Sequence, residues 1–297
     1  MKHYTVYGSC QAHALGLILN SNEIFKKHYQ YHPIKGAWCA TLEEIKDYNT
    51  NLFPTLDLLI YQPIINYEDP KTTKYITQNC LKPGCQLIVF PFLHFTGYHP
   101  QNTSVWDTTN HKAVSSHYPE CHYHDRNLII AYLKPNFNLD EFAKKINSLD
   151  FYDWNSTYNN TMQSLNKLRQ REVNDHPGYY ICVADFIQQN FQEQLLFWTV
   201  NHPTKYLLQF VAKQVFNHLQ IWISFDDRID PLSGEDVFPI YNSVARNHEL
   251  KFDHIRHYIR HNHLTLKKQV FRQSLASYDQ LLQTEQGRKD LEKVTQI

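Results

Sequence analysis

The sequence predicts an α/β fold: a parallel sheet sandwiched by helices in the N-terminal half, followed by a mainly helical C-terminal half. Three observations carry this expectation. Short apolar runs, YTVY (4–7), LDLLIY (56–61) and CQLIVF (85–90), are of strand length and end in turn residues. Segments with helical spacing separate them, the pattern of parallel strands joined by crossover helices. From Leu139 onward, apolar residues recur at intervals of three and four over longer stretches.

The elements follow in order. After YTVY come Gly8, Ser9 and Cys10, then Ala14, Leu15, Ile18 and Leu19 at helical spacing, so the chain runs strand, tight turn, helix. HYQYHPIK (28–35) is a second strand, placed by Pro33 at an edge or bend. TLEEIKDY (41–48) is a short helix with a capping box between Thr41 and Glu44. LDLLIYQPI is a buried strand ending at Gln62-Pro63. TTKYITQNCL (72–81) is a helix stopped by Pro83-Gly84, and CQLIVFPF is another buried strand. Leu93 to Asn127 is a long polar stretch of the kind that forms functional loops, lids or small insertions. Helices are expected over LDEFAKKINSL (139–149), YNNTMQSLNKLRQREV (158–173), VADFIQQNFQEQLLFWTV (183–200) and PTKYLLQFVAKQVFNHL (203–219), the last with Pro203 at its first position. A charged amphipathic helix is expected to close the chain.

The 297 residues suffice for one large α/β domain or two smaller parts, divided as an α/β half over 1–135 and a helical half over 136–297. The formal charge is zero with histidine neutral, which excludes a general electrostatic grip on nucleic acid. The N-terminus MKHYTVYGSC lacks a signal-peptide core, and no apolar run reaches the length of a membrane span. A cytoplasmic location is expected, with the six cysteines reduced. None forms a CxxC pair, so no structural zinc or other metal is expected. The HYHD cluster of His122, His124 and Asp125, and His254, His257, His261 and His263, could bind metal, but along the helical face of His254, His257 and His261 no carboxylate or cysteine stands at matching spacing, which favours a solvated basic helix.

Ligands of an open parallel sheet collect beyond the carboxyl ends of its strands. The residues leaving those ends are Gly8, Ser9, Cys10 and Gln11, then Gln62, then His94 to His99. Cys10 at a helix N-terminus would gain thiolate character from the dipole and the terminal N–H groups. The same N–H groups suit a phosphate or an oxyanion. The competing reading is a small cysteine filling a tight turn. His202, in TVNHPT between two helices, is a candidate base, with Asp185 a candidate to orient it. Arg169 and Arg171 are candidates to clamp phosphate, and Lys205 is placed to reach the same cleft.

YGSCQAHALGLIL resembles the Gly-Asn-Cys-Gln signature of the WcbI-type polysaccharide biosynthesis family, a capsule acetyltransferase group. DLLIYQPI, FPFLHFTGYHP, the Arg-Glu and Asp of RQREVNDH, and LLFWTVNHPTKYLL fall in that family's order over about the first 220 residues. The resemblance implies an N-terminal half like that of the SGNH hydrolases, whose nucleophile follows the first strand. It also implies coenzyme A or acetyl-CoA as cofactor and a saccharide as acceptor. Carried over, Gly8, Cys10 and Gln11 match the signature. Gln62, Gly97, Tyr98, His99, Arg171, Glu172, Asp175, Asn201, His202 and Pro203 match the later motifs. Ser9 stands where the signature has Asn.

The expected function is therefore an acyl-CoA-dependent O-acetyltransferase acting on a sugar or nucleotide-sugar precursor of surface polysaccharide. Cys10, His202 and Gln62 are the expected catalytic residues. Gly8, Ser9, Gln11, Tyr98, His99, Arg169, Arg171 and Lys205 are expected to contact the cofactor. Two alternatives stay open: a cysteine-dependent esterase or deacylase, and a non-catalytic subunit binding CoA or a sugar nucleotide.

Overall fold

The computed structural model describes residues 1–114, 123–173, 176–233, 238–253 and 263–296, the stretch 263–270 by its backbone alone. The chain forms two compact units. The first comprises residues 1–94, 165–191 and 201–233; the second comprises 95–164, 192–200 and 234–297.

The first unit is built on a parallel sheet. Strands β1 (Lys2–Tyr7), β2 (Tyr29–Tyr31), β3 (Leu58–Tyr61), β4 (Gln86–Val89) and β5 (Tyr179–Tyr180) lie in the order β2-β1-β3-β4-β5. Tyr7 is in register with Tyr61, and Tyr61 with Val89, so β1, β3 and β4 end level. All four residues of β3 are buried, as in a strand covered on both faces. β5 was not foreseen, since two residues are too short to show a period. It enters through Gly178 at φ +119, where a Cβ would meet the Leu87 carbonyl oxygen at 2.5 Å.

Helices cover the sheet. α1 (Cys10–Asn20) starts at Ser9, whose Oγ accepts from the Gln11 N–H, and it buries Ala14, Leu15, Ile18 and Leu19 as their spacing predicts. α2 (Glu23–His28), capped by Asn22, fills a stretch the sequence left unassigned. β2 is an edge strand ending two residues before Pro33. α3 (Leu42–Asp47) has the reciprocal Thr41–Glu44 capping box, and α4 (Thr73–Asn79) ends before Pro83-Gly84. Strand alternation sends Tyr7, Leu59, Tyr61 and Val89 into one core with Ile45 of α3 and Ile76 of α4. Many of the aromatic residues serve packing: Phe25 lies 4.8 Å from Tyr4 and 4.7 Å from Tyr29, ring centre to ring centre.

The second unit begins in the long polar stretch, and the chain returns to the first unit over 165–191 and 201–233. The polar stretch forms two short antiparallel strand pairs, Asn102–Thr103 with His124–Asp125 and Trp106–Asp107 with Lys112–Ala113. Asp125 then caps an unforeseen helix, α5 (Arg126–Tyr132). α6 (Leu139–Ile146) and α7 (Trp154–Glu172) follow, α7 starting four residues before its expected beginning. The helix expected over 183–200 is a shorter α8 (Ala184–Asn190). The remaining apolar run is buried without being helical: Leu196 and Phe197 are fully enclosed, and the Val200 carbonyl accepts from the Phe95 N–H. α9 (Lys205–His218) starts after Thr204, so Pro203 precedes the helix rather than opening it. The end of α7 and all of α8 and α9 belong to the first unit. α10 (Asn242–Asn247) follows, and the single closing helix is in fact two, α11 (His263–Leu281) and α12 (Glu285–Thr295), with Thr284 capping the second.

Candidate functional site

The strand order places a topological switch between β1 and β3. From there the chain winds to β2 on one side and through β4 to β5 on the other. Open α/β sheets bind ligands outside the carboxyl ends of the strands at such a point. The loops leaving β1 and β3 border a cavity of about 540 Å³. Gly8 and Ser9 form one wall, and Gln62 to Tyr67 another. Trp38, Phe92, Arg171, His176 and Tyr180 complete it. Trp38 is 61% exposed and Tyr67 42%, so the mouth presents flat aromatic surface.

Beneath this mouth lies a closed carboxamide network. Gln62 accepts at Oε1 from the Ser9 N–H (2.9 Å) and the Ser9 hydroxyl (2.7 Å). Its Nε2 donates to Gln11 Oε1 (2.7 Å) and to the Pro91 carbonyl (3.3 Å). Gln11, fully buried, also accepts from the Leu93 N–H (2.9 Å) and donates to the carbonyls of Leu93 (2.7 Å) and Asn201 (2.6 Å). Each amide thus makes four hydrogen bonds, its full capacity. Gly8 permits the close approach, because a Cβ there would meet Gln62 Oε1 at 2.6 Å. Ser9, Gln11 and Gln62 were expected to face a ligand as donors. In this structure they bind the ends of β1, β3 and β4 to one another and hold the site's frame.

The same network ties the segment that carries Cys10 to the segment that carries His202. Gln11, in the first turn of α1, holds Asn201, the neighbour of His202 just ahead of α9. α1 packs on α9. The N-terminal ends of both helices therefore stand at one place, with Cys10 partly exposed on the first and His202 buried beside the second. Burial lowers the His202 pKa to about 4, so its imidazole is neutral at pH 7. Neither Cys10 nor His202 lines the cavity, whose wall reaches Ser9, the residue before Cys10.

The other expected residues are spread more widely. Arg171 lines the cavity, donates to the Phe92 carbonyl (3.3 Å) and lies over the Phe92 ring at 5.8 Å. Arg169 instead binds Asp185 (2.8 Å) and Gln188. Asp185 is thereby engaged by Arg169, not by His202, which corrects its expected orienting role. Lys205 begins α9 and donates to the Asp227 carbonyl. Tyr98 and His99 are fully buried in the second unit, Tyr98 donating to the Gln194 carbonyl (3.2 Å). Burial pushes His99 down to about 3. Asp175, His122, His254, His257 and His261, and the His263 side chain, lie outside the described residues. His124 is an internal residue, hydrogen-bonded to the Tyr278 hydroxyl (3.0 Å) and the Val114 carbonyl (2.9 Å). Among the described residues no group of three His, Cys, Asp or Glu could hold a metal, and no helix is long and apolar enough to cross a membrane.

Apart from Arg171, the cavity's aromatic and imidazole lining was missed. Trp38, Tyr67, and His176 with Tyr180 come from three separated segments with no shared motif, and only the fold gathers them. A weak signal existed in KGAWC, where an exposed tryptophan follows a glycine in the loop after β2.

A family model described as polysaccharide biosynthesis enzyme WcbI matches residues 3–222. Over 99% of both chains the fold is similar, with a TM-score of 0.70 and 22% identity, to a solved structure of WcbI. That protein is described as a novel polysaccharide biosynthesis enzyme, in a native form without a disulfide bond between coenzyme A and one of its cysteines. No curated protein sequence matches the chain.

Proposed function

The chain belongs to the WcbI family of polysaccharide biosynthesis enzymes, and on that premise we propose that it transfers an acetyl group from coenzyme A to a sugar or nucleotide-sugar hydroxyl. The acceptor in this reading is a cytoplasmic precursor of a surface polysaccharide such as a capsule. The observation that carries the reading is the Gln11 bridge to Asn201 (2.6 Å), which sets the Cys10 and His202 segments side by side at two helix N-termini. The coenzyme A named for the structural neighbour supports the choice of donor.

The roles follow from chemistry. His202, neutral at pH 7, takes the proton of the acceptor hydroxyl as its oxygen attacks the thioester carbonyl. Negative charge then develops on the carbonyl oxygen, facing the positive ends of α1 and α9. The C–S bond breaks, CoA leaves as its thiolate, and His202 returns the proton to the sulfur. In a covalent variant the Cys10 sulfur attacks the thioester first, its proton passing to the departing CoA sulfur, and the acceptor oxygen then displaces the Cys10 sulfur, which regains a proton from the acceptor hydroxyl by way of His202. Gln11, Gln62 and Ser9 are positioning residues in both routes, their hydrogen bonds being spent within the protein.

Coenzyme A at a hundred times its dissociation constant should stabilise the protein by about 2.7 kcal/mol. Thermal melts with and without CoA, backed by calorimetry, check this. An unchanged melt with no binding heat would remove CoA from the account.

A further inference from the structure

The cavity at the β1/β3 switch is not used by the chemistry just described, since neither Cys10 nor His202 lines it. Its composition is specific. Pro63, Ile64, Pro91 and Phe92 make apolar walls, and Trp38 and Tyr67 stand partly exposed at the mouth. The Trp38 segment is held in place by Lys71, whose Nζ donates to the Ala40 carbonyl (2.7 Å) and lies 5.7 Å from the Tyr67 ring centre. The described lining contains one guanidinium, Arg171, and one imidazole, His176, and no carboxylate. Flat aromatic surface exposed to water suits a planar heterocycle, and a half-buried guanidinium suits a phosphate. At about 540 Å³ the space is well above what a single sugar ring needs and lies within the range of small-molecule sites.

We propose that this cavity binds a nucleoside diphosphate, its base against Trp38 and Tyr67 and its phosphates toward Arg171. The assignment deepens the acyl-transfer reading and rests on it for the ligand's origin: the nucleotide belongs either to CoA or to a nucleotide-sugar acceptor. Ser9 joins the cavity wall to Cys10, so a group attached to the bound nucleotide is delivered toward the turn where transfer takes place.

The test is calorimetric titration of UDP, GDP, CDP, dTDP, ADP and adenosine 3′,5′-bisphosphate into the full chain and into Trp38→Ala. At least one should bind the wild type, and Trp38→Ala should weaken it about tenfold or more, as loss of a stacking ring does. Trp38→Phe should recover most of the loss. The melting temperature should not move, because Trp38 is largely exposed. If adenosine 3′,5′-bisphosphate binds and Trp38→Ala weakens CoA equally, the nucleotide is the donor's. If a uridine, guanosine, cytidine or thymidine diphosphate binds while CoA affinity is unchanged in Trp38→Ala, it is the acceptor's. No binding by any of the six at millimolar concentration, or equal binding in Trp38→Ala, overturns the proposal. Absence of CoA binding to a wild type that still binds a nucleotide would instead sink the acyl-transfer reading alone.

Discussion

Lowering the pH from 7.5 to 4.5 should cost the folded protein on the order of 6 kcal/mol of stability. Three histidines are responsible. Burial pushes His202 to about 4 and His99 to about 3, while burial together with Arg171 and Lys167 pushes His94 to about 4. In the unfolded chain each titrates near 6.5. Above that pH both states are neutral and nothing is lost. As the pH falls below it, the unfolded chain takes up protons that the folded protein refuses, which favours unfolding by roughly 2 kcal/mol per residue by pH 4.5. His32 and His248, also lowered by burial, add in the same direction. Carboxylates act later: Asp226, held at about 2 by its hydrogen bonds from Arg228, loses its contribution only as the pH falls below the ordinary carboxylate range. The expected loss compares with the 5–15 kcal/mol that typically separates folded from unfolded domains, so unfolding near pH 4.5 is expected. Urea unfolding at several pH values measures it. A stability unchanged between pH 7.5 and 5 would contradict the burial of these rings, and His99→Gln should flatten the curve.

His202→Ala should lower the rate of acyl transfer by roughly a hundredfold to ten-thousandfold, the usual cost of losing a general base. Coenzyme A affinity should change much less, because the role concerns the acceptor's proton. The acid limb of kcat/KM should lie below 6.5, near the lowered value of about 4, or at the onset of acid unfolding if that comes first. Cys10 separates the two routes. Cys10→Ala and Cys10→Ser should both abolish a covalent route, since a serine hydroxyl is far less ionised than a thiol. A direct route would survive Cys10→Ser. Transfer rates with acetyl-CoA and an acceptor pool decide. Full activity in His202→Ala would remove the proposed base.

The first strand, turn and helix were legible because their signals are local: Ser9 is an N-cap, and the buried face of α1 has a fixed spacing. The Thr41–Glu44 box was legible for the same reason. LLFWTV was misread as helix because a buried irregular segment and a buried helix share one composition. α11 and α12 part at residues 282–284, with neither Gly nor Pro to mark the break. At the site, sequence placed Gln11 and Gln62 at strand ends but could not show that each would spend all four of its hydrogen bonds within the protein, one of them on the other. Nor could it show Asp185 of α8 paired with Arg169 of α7, sixteen positions earlier in the chain. The cavity's aromatic mouth belongs to the fold alone, because exposure of Trp38 is a tertiary fact.

The central claim is that coenzyme A works at the strand-end turn carrying Cys10. Peptide mapping after brief iodoacetamide treatment at pH 7, with and without saturating CoA, tests it most directly. Accessibility alone would favour the exposed Cys39 and Cys182. Burial pushes the Cys80 thiol up and the Cys85 thiol up to about 11, and partial burial of its sulfur, with Glu172 and Asp185 nearby, pushes the Cys182 thiol up as well. The account predicts that Cys10, at the positive end of α1, is labelled fastest among these five and that CoA protects it while leaving Cys39 unchanged. Labelling of Cys10 that is no faster than that of Cys80, or that CoA leaves untouched while binding, would contradict it.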